Sequence, residues 1–181
     1  MNTNELAQVA ASLSIRARLE DVALFAWEGE LLRAERLASI LERLPPGAYL
    51  LGTGPYTLGV YALTTEEVVI GRLATPGEDA RDVAIDILVN DTPDLHPREV
   101  SRVHATVYRC PEGDTVRHFV ADCGSTTGTF VGGEELEKPA PNQAEPADGR
   151  QRWRALASGD VISLGPSHVN TFVFVTLPGP T

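Results

Sequence analysis

The feature that most constrains this chain is an abrupt change of pattern at Pro45-Pro46-Gly47. Before it, apolar residues recur at helical spacing: Leu6, Val9, Ala10 and Leu13, then Leu37, Ile40, Leu41 and Leu44. After it, the chain breaks into short runs of Val, Ile, Thr, Tyr and Phe, divided by Gly, Pro and Asp. Consecutive prolines remove main-chain donors and hold φ, so no helix carries across this point. The pattern predicts a helical extension over residues 1–46 and a mainly β domain over residues 47–178.

Within the extension, residues 5–44 read as helical, with Asn4 or Thr3 placed to cap the start and Gly29 separating two helices. The leucine stripe is the kind that packs against the rest of the chain or a second copy, so a homodimer through these helices is one expected assembly. Beyond it, strands are expected at Ala48–Leu51, Thr57–Leu63, Val68–Ile70, Ile85–Leu88, Ala105–Arg109, Arg117–Asp122, Thr129–Val131, Val161–Leu164 and Thr171–Leu177. Many short strands with few helices between them imply a β-sandwich. Residues 138–149, rich in Pro, Ala, Asn, Glu and Asp, read as an extended loop.

Composition narrows the function. Among 181 residues, acidic side chains outnumber basic ones 25 to 15, a net charge of −10. Such a field repels nucleic acid and anionic membrane at long range, and neither is an expected partner. The uncharged stretch Leu44 to Thr65 is long enough to span a bilayer, but its prolines and glycines would break a membrane helix repeatedly. The N-terminus shows no basic and apolar pattern of a secretory signal, so the expected location is the cytoplasm. Cys110 and Cys123 form neither a CxxC pair nor a disulfide framework. On a hairpin of strands 105–109 and 117–122 they would lie roughly 20 Å apart, too far for a disulfide.

Four stretches carry the chemistry: Val69-Ile70-Gly71-Arg72, Val100-Ser101-Arg102-Val103-His104-Ala105, Asp122-Cys123-Gly124-Ser125-Thr126-Thr127-Gly128-Thr129, and Leu156 to Gly165. Each puts Gly, Ser, Thr or Arg at a strand end, where the loops of a sandwich gather. Arginine forks, hydroxyls and close-approaching main-chain NH groups are the equipment for holding a tetrahedral oxyanion.

The order and wording of these stretches closely resemble the forkhead-associated (FHA) domain, from about Ala48 to Leu177. Tyr56, Gly59, Tyr61 and Leu63 match its opening, and Leu-x-x-Gly-Asp-x-Ile-x-Leu-Gly its close. The resemblance implies a sandwich of two twisted sheets, the SMAD/FHA fold, that binds phosphothreonine peptides without a cofactor or metal. It makes Arg72 and Ser101 the principal phosphate ligands, Arg102 a phosphate or peptide contact, and Thr126 the residue that closes the pocket. His104 is implied to be a buried brace for the loops rather than a catalyst. Gly71 and Gly128 are implied to shape tight turns, and Thr129, with Gly124 and Ser125, to support the loops. The implied partner is a threonine-phosphorylated protein in a Ser/Thr kinase system, with the kinase itself a candidate.

One position departs from the family pattern. Thr127 stands where an asparagine usually grips the main chain of the bound peptide, and its single hydroxyl has a shorter reach. The rival expectation is therefore a phosphate-independent assembly module using a degenerate sandwich or the helices. An extension that covers the loops as an autoinhibitor is a further expectation. Catalysis through Ser101 or Ser125, His104 and Asp122 or Asp160 lacks a Gly-x-Ser-x-Gly elbow, and Gly124-Ser-Thr-Thr-Gly128 lacks the lysine of a P-loop.

Overall fold

The computed structural model describes residues 39–54, 56–72, 83–91, 98–113, 115–139 and 152–179. Expectations for residues 1–38, including their helices and any dimer they form, lie outside the described residues, as does most of the 138–149 loop.

Eleven strands occur among the described residues: β1 (Gly47–Gly52), β2 (Gly59–Ala62), β3 (Glu67–Gly71), β4 (Ile87–Leu88), β5 (Ala105–Glu112), β6 (Thr115–Asp122), β7 (Thr129–Val131), β8 (Glu134–Glu135), β9 (Arg154–Ala155), β10 (Val161–Leu164) and β11 (Thr171–Leu177). They form two sheets, one ordered β2-β1-β11-β10-β7-β8 and the other β4-β3-β5-β6-β9. Neighbours are antiparallel except β3 and β4, which run parallel. The fold is the expected mainly β sandwich, with a short helical turn over residues 39–43 ahead of it.

Alternation along the strands builds the core. Leu50, Ile70, Val107, Val120, Ile162, Phe172 and Phe174 point between the sheets, each at most 1% exposed. Burying such a side chain fully contributes about 1.5–3 kcal/mol. Tyr49, Leu51 and Val175 point the other way and form a second cluster with Ile40 and Leu44. Ile40 and Leu44, with Leu41 beside them, thus pack on the outer face of the six-stranded sheet. With both faces of β1 covered, Tyr49, Leu50 and Leu51 read as a continuous apolar run rather than an alternating one.

Several boundaries differ from the sequence reading. The β5–β6 hairpin is longer, because Pro111 and Glu112 pair with Val116 and Thr115 instead of forming a wide turn. Thr57 lies before β2, not in it. Its hydroxyl donates to the Thr171 carbonyl at 2.7 Å and accepts from Gly54 N at 2.9 Å, pinning a turn. Ile85 precedes the two-residue β4. The strands β8 and β9 are too short to leave a periodic signal. Trp153, just before β9, stacks on Tyr108 with ring centroids 3.9 Å apart.

Candidate functional site

The β6–β7 loop folds around one carboxylate. Asp122 Oδ1 accepts from Gly124 N and Ser125 N, both at 2.8 Å. Its Oδ2 accepts from Ser125 Oγ at 2.5 Å and Thr129 Oγ1 at 2.7 Å. Four donors hold the charge of a side chain only 6% exposed, as a buried carboxylate requires. Ser125 Oγ in turn accepts from Gly128 N at 2.9 Å. The sequence reading missed this organising role, although an aspartate two and three residues before the bonded NH groups is the signature of an Asx turn. Gly128 has φ of 94°, a left-handed conformation that a side chain rarely adopts.

His104 ties this loop to the one before β5. Its Nδ1 accepts from Ser101 N at 3.1 Å, and its Nε2 lies 3.0 Å from the Gly128 carbonyl. These partners assign the neutral tautomer with the proton on Nε2. Burial holds its pKa below the ordinary 6.5, against the opposing pull of the Gly128 hydrogen bond and the Asp122 charge. Its main chain accepts from Cys123 N and donates to Ile70 O, both at 2.9 Å. With both ring nitrogens committed to main-chain groups, His104 is not positioned to take a proton from Ser101 or Ser125.

The 100–103 segment crosses the end of β3. Arg72 N donates to Ser101 O at 3.2 Å, continuing the ladder one step past His104. Gly71 is the last residue of β3 and sits in no turn. A Cβ there would lie 2.0 Å from the Arg102 carbonyl oxygen, so close approach of main chain excludes a side chain. Asp91, also unrecognised in the sequence, fixes the entry to this segment by accepting from Glu99 N and Val100 N, both at 2.7 Å.

Above this scaffold lies a cleft of about 280 Å³ lined by Arg72, Ser101, Arg102, Val103, Cys123, Gly124 and Thr126. None of these residues is acidic. Ser101 Oγ accepts from Thr126 N at 3.1 Å and lies 3.5 Å from Thr126 Oγ1, so the two loops meet at the cleft floor. The fold brings Arg72, Ser101, Arg102, Gly124 and Thr126 to one opening. Gly71, His104, Ser125, Gly128 and Thr129 stand in the supporting main-chain and side-chain network. Thr127 does not line the cleft; its hydroxyl donates to Glu99 O at 2.7 Å. Among the described residues, no helix is long and apolar enough to cross a membrane.

Full-length yeast Pml1p is similar at a TM-score of 0.52 and 18% identity, covering 72% of this chain and 81% of that one. The yeast Pml1 splicing factor, solved with its integration into the RES complex, gives 0.53 at 17% identity over 77% of this chain and 88% of that one. The MEK1 FHA domain, solved in complex with the HOP1 pThr318 peptide, gives 0.49 at 19% identity over 75% and 100%. At these identities the likeness to the two Pml1 structures is one of fold. No curated protein matches the chain. The FHA domain family matches residues 68–165, more than half of the sequence and the span that holds every cleft-lining residue. This chain belongs to the FHA domain family, whose members are non-catalytic binding modules that typically bind phosphothreonine peptides.

Proposed function

We propose that this protein is an adaptor that docks onto a threonine-phosphorylated protein through the cleft between Arg72, Ser101, Arg102 and Thr126. The observation that carries this reading is the cleft's composition: two arginines, two hydroxyl side chains and no acid, in a chain of net charge −10. A phosphothreonine brings about −1.5 to −2 charges, and a guanidinium fork with hydroxyl donors matches its oxygens. In this reading Arg72 and Ser101 are the main phosphate ligands. Thr126 closes one side, and Arg102 reaches phosphate or peptide. His104 and Asp122 position the loops. The whole-chain field opposes an anionic ligand, so recognition is short-range and depends on groups already held in place.

Val103 is an aliphatic side chain in the cleft lining and offers a surface for the threonine methyl. A methyl-sized discrimination over phosphoserine is worth about 1–3 kcal/mol. The same reading puts the protein in the cytoplasm, downstream of a Ser/Thr kinase.

The test is a peptide library presented in phosphothreonine, phosphoserine and unphosphorylated forms, with binding measured to the full chain. Binding confined to phosphorylated members, with threonine preferred, supports the proposal. Equal binding to phosphorylated and unphosphorylated copies would replace it with phosphate-independent assembly.

A further inference from the structure

At the opposite end of the sandwich, the packing rule that fills the core stops. The inward row of the β5–β6 hairpin reads Ala105 opposite Asp122, Val107 opposite Val120, Arg109 opposite His118, and Pro111 opposite Val116. On the facing sheet, Leu50 opposite Phe174 gives way to Ala48 opposite Thr176. Large apolar residues are thus succeeded by small ones on one sheet and by two nitrogen-rich side chains on the other. The result is a cavity of about 440 Å³ between the sheets, within the range of small-molecule sites. It lies about 13 Å along β5 from the phosphate loops.

Two groups in its lining are built for an anion. His118 is 6% exposed, and its Nε2 is buried without a hydrogen-bond partner. A buried imidazole nitrogen left unpaired is costly, and the site gains when a ligand pairs it. Arg109 lines the same cavity directly across the strand pair, and none of the lining residues is acidic. Burial first, and then the Arg109 charge, hold His118 below the ordinary histidine pKa. Around these groups the walls are apolar, with Ala48, Leu63, Val116 and Leu177.

We infer that this cavity binds a monocarboxylate carried on a small aliphatic body. The Arg109 fork takes the carboxylate oxygens, neutral His118 donates from Nε2, and the aliphatic part lies against Leu63 and Val116. A carboxylate fits better than a phosphate dianion, because Arg109 is the only charged side chain in the lining and much of the remaining wall is hydrocarbon. The carboxylate can come from a free short-chain acid or from the C-terminus of a peptide ending in an aliphatic residue. The inference is independent of the phosphothreonine reading.

The test titrates the full chain with hexanoate and with a short peptide acid ending in leucine, each beside its amide. Binding is followed by calorimetry and by the His118 imidazole resonances. At least one acid is expected to bind at least tenfold tighter than its amide and to shift His118, and which acid does so identifies the source. Arg109→Gln should weaken that binding at least tenfold, while Arg72→Ala leaves it unchanged. If Arg109→Gln does not fold, Val116→Glu, at a position 42% exposed, should abolish binding by supplying an internal carboxylate. Acid and amide binding equally, Arg109→Gln binding as the parent does, or no His118 response to either acid would each overturn the inference.

Discussion

Thr127 directs its only hydroxyl proton to the main-chain carbonyl of Glu99, 2.7 Å away. The residue that could have faced a ligand instead fastens the β6–β7 loop to the segment before β5. Glu99 is itself held at its other end, where its carboxylate accepts from Ser167 Oγ at 2.5 Å and Ser167 N at 3.3 Å. Thr127→Asn should supply an amide that reaches the peptide main chain. A net hydrogen bond of about 0.5–1.5 kcal/mol predicts roughly two- to tenfold tighter phosphopeptide binding. Thr127→Val should show no such gain and should lose a few tenths to 1.5 kcal/mol of stability. Calorimetry and urea unfolding separate these outcomes.

Removing Arg72 tests the cleft most directly. A hydrogen bond to a charged group contributes about 1.5–3 kcal/mol, so Arg72→Ala should weaken phosphopeptide binding about 10- to 100-fold. Arg72→Lys should restore only part of this, because an ammonium lacks the planar fork. Ser101→Ala is expected to cost a similar factor, and it also removes the acceptor for Thr126 N. Unchanged affinity in Arg72→Ala, with the fold intact, would remove Arg72 from the site.

The Asp122 carboxylate collects four hydrogen bonds from Gly124, Ser125 and Thr129. In Asp122→Asn the amide nitrogen must face one pair of those donors, leaving buried groups unpaired. A destabilisation of about 2–4 kcal/mol is expected, since each unsatisfied buried group costs about 1–3 kcal/mol. The urea midpoint should fall, and phosphopeptide binding should fall with it even where the protein remains folded.

A methyl group at position 71 has nowhere to go. In Gly71→Ala the new Cβ would lie 2.0 Å from Arg102 O and 2.8 Å from Arg102 C, both main-chain atoms that cannot simply rotate away. Such overpacking costs about 1–3 kcal/mol and is relieved by moving the 101–103 segment. Phosphopeptide affinity should therefore drop more than stability, with amide shifts concentrated at residues 101–104 and 124–128.

Acidification should destabilise the fold through its histidines. Burial pushes the pKa of both His104 and His118 below the ordinary 6.5. Well above 6.5 both are neutral, folded or unfolded, and contribute no pH dependence. Below it the unfolded chain binds more protons, so stability falls with pH, by up to about 1.4 kcal/mol per unit for each histidine. The decline ends once pH passes beneath the folded values. Urea midpoints measured above and below 6.5 check the sign, and His104→Gln should flatten part of the slope.

The sandwich was legible because its evidence is local. Period-two alternation in Val107, Val120, Phe172 and Phe174 marks the inward face of each strand, and turn residues divide the strands. Short edge elements such as β8 and β9 were not legible, since two residues carry no period. The loops bearing Arg72, Ser101, Arg102 and Thr126 were also readable, as ordered motifs at strand ends. What those motifs could not convey is which main-chain atom each side chain would meet.

The sequence by itself determined a two-sheet β-domain after Pro45-Pro46, and it determined which loops hold the arginines and hydroxyls. Only the tertiary structure decided that Thr127 turns toward Glu99, that Gly71 lies under Arg102, and that Asp122 gathers the β6–β7 loop. It also decided that Arg109 and His118 stand side by side on β5 and β6 at an unfilled end of the core. The reason is one of range. Periodicity reports the face a residue presents on its own strand, whereas hydrogen-bond partners and cavity walls depend on the register of segments that meet only when the chain folds.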